Sequence, residues 1–301
     1  MKRIIQLSTV FLFIVLLAAC GTDQEEDTTR ETFTYTSETG DVEVYENPQR
    51  IVVLSTFLTG HALFADGNIV GATSWDFLNE NYTPYLEDAE VVSPDNVEGI
   101  LALEPDLILA SPGLANMEQI QEIAPTVLFT YGNLTYLEQY VEIATLISDR
   151  AEAESWVEDF QTRASAAGDQ IKELYGDDVT VSVVESYGKE LYVYGDNWGR
   201  GTEILYQEME LDMPQAVRDN ALEPGFYAIS TEVLPDYMGD FVILSKHLDA
   251  DTSFETTSLY QNTDAYQNDR ILTVDGTAFS YNDPTTLEWQ LETFIEFFLN
   301  E

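Results

Sequence analysis

The chain has 301 residues, with 55 acidic against 12 basic side chains and a formal net charge of −43. Apolar residues make up 45% of it, too many for an acidic disordered chain, and this length fits about two domains or one large one. So few Lys and Arg exclude a nucleic-acid or anionic-membrane surface as the main partner, and one Cys with two His excludes a disulfide framework and a Cys/His zinc centre.

Met1-Lys2-Arg3 is basic, and Val10 to Cys20 is an unbroken apolar run of 11 residues, too short to span a bilayer. A basic start, a short apolar stretch and a small-residue end read as an export leader over residues 1–19. Leu17-Ala18-Ala19-Cys20-Gly21 resembles a bacterial lipobox, which implies lipidation at Cys20 and anchorage by acyl chains. Cleavage removes Lys2 and Arg3 and no acid, so the exported chain is more acidic still and has no free thiol. Such charge suits solubility in a salty or alkaline habitat.

Residues 21–31 are polar and aperiodic, a tether. Phe33, Tyr35, Val42 and Val44 alternate with polar neighbours and predict a hairpin turning at Gly40-Asp41; tether and hairpin together take residues 20–48. Ile51–Leu54 reads as a buried strand, followed by a helix through Leu63-Phe64 and a strand at Ile69–Gly71. A helix over Asn96–Leu103, a strand at Leu107–Ala110, a helix over Met117–Ile123 and a strand at Thr126–Phe129 complete an α/β lobe over 49–136. Residues 137–174 contain no Pro and a single Gly, with Leu137, Val141, Leu146, Trp156, Phe160 and Ile171 at helical spacing. They predict one long spine helix, or two nearly continuous ones. Strands at Val179–Val184, Leu191–Tyr194, Phe241–Leu244 and Ile271–Val274 and a closing helix from Thr285 give a second lobe over 175–301. The expected fold class is α/β, with two lobes, each a mostly parallel sheet flanked by helices.

An internal echo supports two lobes of one design. Glu98 precedes Asp106 and an apolar strand by eight residues, as Glu232 precedes Asp240, each Glu expected in the first turn of a short helix.

Several stretches share a resemblance. They are Asn96-Val97-Glu98 with Leu103-Glu104-Pro105-Asp106, Tyr192–Glu203 around Trp198-Gly199-Arg200-Gly201, Ser230–Pro235, and Tyr281-Asn282-Asp283-Pro284. They resemble the substrate-binding lipoproteins that serve iron–siderophore and cobalamin ABC importers, over about residue 49 to the end. The resemblance implies a monomeric, non-catalytic binding protein held by lipid on the extracellular face of a Gram-positive membrane. It would deliver a ferric siderophore to a permease dimer with its ATPase. It further implies that Trp198 and Arg200 contact the ligand, with Arg200 donating to chelating oxygens, and that Glu98 and Glu232 dock the permease.

The residues themselves fit such a cargo. A ferric siderophore brings its iron already coordinated, so the protein needs aromatic walls and one or two cations, and no cofactor or metal ligands of its own. Tyr192, Tyr194, Trp198 and Arg200 supply these within nine residues, the two tyrosines on one strand face. Trp75, Tyr131 and Tyr281 follow predicted strands, where open α/β sheets bind ligands. Cations near the expected cleft are few: Arg200, with Lys189 and Lys246 as candidates. That favours a neutral or cationic ferric hydroxamate, or a mixed citrate–hydroxamate, over a triply anionic catecholate. Ferric catecholate, cobalamin, haem and glycan remain alternatives on the same scaffold, and a secreted hydrolase a remote one. His61 and His247, 186 residues apart, give poor support for direct metal binding. No G-x-S-x-G, H-E-x-x-H or P-loop is present to suggest an enzyme.

Overall fold

The computed structural model describes residues 30–299; the leader, the lipobox and Cys20 lie outside the described residues. Strands β1 (Thr32–Ser37) and β2 (Gly40–Tyr45) form an antiparallel hairpin with Phe33 opposite Val44 and Tyr35 opposite Val42. The turn falls at Glu38-Thr39, not at Gly40-Asp41. The Ser37 hydroxyl accepts from the Thr39 amide at 3.2 Å and donates to the Gly40 carbonyl at 2.8 Å, which closes the chain two residues earlier. Tyr35 then docks the hairpin by donating its hydroxyl to Glu142 at 2.9 Å.

The first lobe is a parallel sheet of β3 (Ile51–Val53), β4 (Ile69–Ala72), β5 (Glu90–Val91), β6 (Leu107–Ala110) and β7 (Thr126–Leu128), in the order β5-β4-β3-β6-β7. Its helices are α1 (Thr56–Phe64), α2 (Val97–Ala102) and α3 (Met117–Gln121). The central strands β3 and β6 are wholly buried, as their unbroken apolar runs require.

Two helices follow, α4 (Tyr136–Ile147) and α5 (Arg150–Tyr175). Thr135 and Glu138 start α4 with a reciprocal capping box. Ser148 leaves helical geometry and Asp149 begins again, its carboxylate accepting from the amides of Ala151 and Glu152. The spine is thus two helices, of which the 26-residue α5 spans roughly 39 Å at 1.5 Å per residue.

The second lobe holds β8 (Val181–Tyr187), β9 (Glu190–Tyr194), β10 (Phe226–Ile229), β11 (Phe241–Lys246) and β12 (Ile271–Asp275), in the order β10-β9-β8-β11-β12. Only β8, β11 and β12 run parallel; β9 turns back on β8 through Gly188-Lys189 and pairs antiparallel with β10. This sheet is mixed rather than mostly parallel because a tight hairpin permits only antiparallel neighbours. Short helices α6 (Gln215–Asn220), α7 (Leu234–Tyr237), α8 (Ser258–Gln261) and α9 (Asp264–Gln267) pack their buried residues with those of β8, β9 and β11 in one hydrophobic cluster. The last helix, α10 (Pro284–Leu299), returns against α1 and α5.

The internal echo has a physical basis. Asp106, just before β6, accepts from the amides of Gln49 and Arg50 at 2.8 Å, ahead of the neighbouring β3. Asp240, just before β11, accepts from the Thr180 amide and hydroxyl at 2.8 Å, ahead of the neighbouring β8. In each lobe one carboxylate fixes where two central parallel strands begin. The glutamates eight residues upstream are both exposed. Glu98 sits in the first turn of α2, but Glu232 lies in the turn before α7, because that helix starts only at Leu234 with Pro235 in its first turn.

Trp156 of α5 joins the two hydrophobic cores, packing against both. Its ring stacks on Phe160 at 5.1 Å and meets Tyr140 of α4 and Phe64 of α1 at 5.2 Å each. Its indole nitrogen donates to Glu288 of α10 at 2.7 Å, and Arg163 clamps the same carboxylate at 2.6 and 2.9 Å. Trp156→Ala is expected to lower the unfolding free energy by about 3 kcal/mol, the scale of a large aromatic truncation. Denaturant titration followed by circular dichroism measures it, and a loss under about 1 kcal/mol would show that the lobes do not lean on this ring.

Candidate ligand-binding cleft

Both sheets turn the C-terminal ends of their parallel strands toward one cleft of about 540 Å³. The first lobe contributes Thr56 and Phe57 after β3, Trp75 and Leu78 after β4, and Tyr131 after β7. The second contributes Glu185 and Tyr187 of β8, Tyr192 and Tyr194 of β9, Phe226 of β10, His247 after β11, and Thr277 and Ser280–Asn282 after β12. The loop after β9 adds Trp198, Gly199 and Arg200. All seven residues singled out in the sequence as ligand contacts therefore line this one cavity: Trp75, Tyr131, Tyr192, Tyr194, Trp198, Arg200 and Tyr281.

The loop is shaped by backbone geometry. Gly199, Arg200 and Gly201 are successive left-handed residues, with φ of 68°, 58° and 78°. Glycine takes this conformation freely and arginine at a cost, so two glycines flank the one side chain the loop must present. A Cβ at Gly225 would sit on the Trp198 indole nitrogen, so that glycine opens the shelf on which the indole rests.

Trp198 is held between Phe226, edge-on at 5.2 Å, and Tyr131 of the other lobe at 5.6 Å. Tyr131 also meets Phe57 at 5.0 Å and donates its hydroxyl to the Asn197 carbonyl at 3.0 Å, linking the lobes across the cleft. Tyr281 packs on buried Tyr82 at 5.6 Å. Trp75 is 60% exposed at the mouth. Burial pushes the phenols of Tyr131 and Tyr281 up to about 12, so both stay protonated and neutral.

Arg200 does not point freely into the cavity. Its Nε and Nη2 donate to the two oxygens of Glu185 at 2.9 and 3.2 Å, its Nη1 donates to the Trp198 carbonyl at 2.8 Å, and the guanidinium lies 4.5 Å over the Tyr194 ring. Glu185 is 3% exposed and also accepts from the Tyr194 hydroxyl at 2.7 Å and Ser245 at 3.2 Å, with His247 Nε2 at 3.3 Å. Burial alone would raise its carboxyl; the His247 bond, the Arg200 charge and the remaining donors overcome that and hold it down to about 2. Beneath the loop, Glu203 accepts from the Gly199 amide at 2.9 Å and the Asn282 amide at 2.8 Å, and burial pushes its carboxyl up.

The other expected cations are elsewhere. Lys246 pairs with Glu255 at 3.2 Å, and Lys189 sits exposed in the β8–β9 turn; neither lines the cleft. The histidines also part. His247 faces the cleft, while His61 is buried in α1, where burial drops its imidazole to about 3. Among the described residues, no group of three or more His, Cys, Asp or Glu is placed to hold a metal ion.

Residues 65–278 match the family described as periplasmic binding protein. The chain belongs to that family. The iron(3+)-hydroxamate-binding protein FhuD of Bacillus subtilis is 32% identical over 297 residues, covering 95% of this chain and 94% of that protein. The FhuD protein from S. pseudintermedius superposes with a TM-score of 0.80 at 31% identity, covering 90% of this chain and 99% of that one. FhuD2 from Staphylococcus aureus with bound ferrioxamine B gives 0.78 at 28% identity, covering 84% and 98%.

Sequence reading missed Phe57, Phe226, Glu185 and His247. Phe226 lies on an edge strand whose apolar run, Phe-Tyr-Ala-Ile, is only four residues long and is exposed at three of them. Glu185 had one available signal, a lone acid inside the otherwise uncharged buried strand Val181–Ser186, but 55 acids in the chain hid it.

Glu185 ionises in the fold near 2, against an ordinary 4.5. A lowered carboxyl stabilises fully above the ordinary value, and that stability is lost as pH falls through the folded one. Glu185→Gln is expected to cost stability at neutral pH. The gap between the two proteins should narrow between pH 4.5 and pH 2, the window set by the two values. Thermal melts across that range check it; a constant gap would mean that the ionised carboxylate is not what the fold uses.

Proposed function

We propose that this protein captures a ferric hydroxamate siderophore in the cleft between its lobes and hands it to an ABC importer permease. The observation that carries the reading is the convergence of Trp198, Arg200 and five further sequence-selected aromatics on one cavity. Its volume falls within the roughly 300–1,000 Å³ usual for small-molecule sites. The curated relative and the liganded structural neighbour, whose names specify iron(3+)-hydroxamate and ferrioxamine B, support the ligand class.

The chemistry is that of holding, not reacting. Iron stays with the siderophore's own oxygens. Neutral phenols and indoles cover the organic shell, and Arg200 donates its two unused N–H groups to exposed chelate oxygens.

The same reading assigns the rest of the chain. Residues 1–19 are an export leader and Cys20 the lipidated end that holds the protein on the extracellular membrane face. Residues 20–48 form tether and hairpin, 49–136 and 175–301 the two lobes, and 137–174 the spine. Exposed Glu98 and Glu232, one per lobe, dock basic pockets on the permease.

Arg200→Ala should weaken ferric hydroxamate binding by roughly 1.5–3 kcal/mol, the scale of hydrogen bonds from a charged group. Quenching of tryptophan fluorescence by hydroxamate, catecholate and citrate complexes measures it and ranks the classes. Equal affinity in the folded variant would move the site elsewhere. Separately, the double charge reversal Glu98→Lys, Glu232→Lys should impair iron uptake by cells while leaving the dissociation constant unchanged. Normal uptake by that strain would sink the docking assignment.

A further inference from the structure

We propose that Glu185 sets the charge class of the cargo: it cancels the charge of Arg200 from below, so that the cleft accepts neutral and cationic ferric complexes and disfavours anionic ones. This rests on the ferric hydroxamate reading and adds a specificity-determining residue to it.

The argument begins with a count of charges. Among the residues lining the cleft, Arg200 is the single Lys or Arg and Glu185 the single Asp or Glu, and His247, 3.3 Å from the same carboxylate, is the one other side chain able to carry a positive charge. They are in bidentate contact at 2.9 and 3.2 Å, with side chains 18% and 4% exposed, so little water screens one from the other. A ligand above the guanidinium meets a dipole with its positive end toward it rather than a free cation. Three of the five guanidinium N–H groups are engaged, two by Glu185 and one by the Trp198 carbonyl. Two remain to donate. The pair keeps the hydrogen-bonding use of arginine and removes its attraction for net negative charge. Glu203, buried below, adds no positive charge to offset this.

Stability alone gives a weak reason for such a pair. Burying two charges costs about as much desolvation as their attraction returns, so replacing the pair together by uncharged side chains would cost the fold little, although removing one partner alone would strand the other. Tyr194 and Ser245, which also donate to Glu185, could donate to a glutamine oxygen. What glutamine could not do is carry the counter-charge. Glu185 acts through Arg200 as a positioning residue, and the property it governs is selectivity by ligand charge.

The test uses one linear ferric trihydroxamate in three forms: with a free amine tail (+1), with the amine acetylated (neutral), and with it succinylated (−1). Shape and chelate are constant, so differences report charge. Dissociation constants come from fluorescence quenching of the full chain. In wild type, affinity should fall from the cationic to the anionic form. Glu185→Gln should shift the ratio of anionic to cationic affinity at least tenfold toward the anion, and Glu185→Asp should keep the wild-type ratio. Arg200→Gln should move the ratio the opposite way, which reads the same balance if Glu185→Gln does not fold. An unchanged ratio in folded Glu185→Gln, or in Arg200→Gln, overturns the inference while leaving hydroxamate binding intact. A wild-type protein that takes none of the three complexes overturns the ligand reading, and the inference with it.

Discussion

One buried carboxylate organises the functional half of this molecule. Glu185 sits near the end of a strand whose other side chains up to Ser186 are uncharged and buried. Such a group must find donors, because an unpaired ion in that setting costs several kcal/mol. It finds them on β9, on β11, on the residue after β11 and in the loop after β9, through Tyr194, Ser245, His247 and Arg200. Those segments, with β10 and the loop after β12, form the second lobe's side of the cleft. The need to satisfy Glu185 thus fixes the left-handed Arg200, and with it the turn that sets Trp198 against Phe226 and Tyr131.

The lobes are alike in how their sheets start and unlike in how they end. Asp106 and Asp240 both pin the beginnings of paired central strands through their carboxylates, one taking two backbone amides and the other an amide and a hydroxyl. The ends diverge, since the second lobe replaces a parallel crossover with the β8–β9 hairpin. That hairpin is what brings Tyr192 and Tyr194 beside Glu185. The chain passes between lobes through α4 and α5, α10 packs on both α1 and α5, and Trp156 with Glu288 ties α5 to α10. A helical spine braced by a second helix is a stiffer connection than a single flexible linker.

Much of this was legible in the sequence because it is written as pattern. Buried parallel strands read as apolar runs, and Ile51–Val53, Leu107–Ala110 and Phe241–Leu244 were found for that reason. The aromatic cleft was legible because Tyr192, Tyr194, Trp198 and Arg200 are close in the chain, so local spacing carried tertiary information. What failed had no local signature. A spine of one helix or two nearly continuous ones was legible, but the place of the break at Ser148-Asp149 was not, because it depends on a side-chain cap that is hard to tell from ordinary polar residues. Edge strand β10 is an apolar run of only four residues, Phe-Tyr-Ala-Ile, too short to mark a strand by itself. The pairing of Arg200 with Glu185 joins two strands and a turn, and Lys189 and Lys246 competed with it as nearby cations until their positions were known.

The net charge of −43 and the neutral cleft act at different ranges. Exposed acids are screened beyond roughly 10 Å at 0.1 M salt, and more strongly in a saline medium. Their field affects how a charged complex approaches and keeps the protein soluble, but it fades as the complex enters a cavity walled by rings. Inside, the contacts are a few ångströms long and poorly screened, and there the balance between one cation and one anion dominates. A chain could therefore gain or lose many surface acids with little effect on which complexes it holds, whereas a single change at Glu185 or Arg200 alters the charge that the ligand meets. Selectivity by charge is local to this pair, and the acidic surface remains free to answer to the medium.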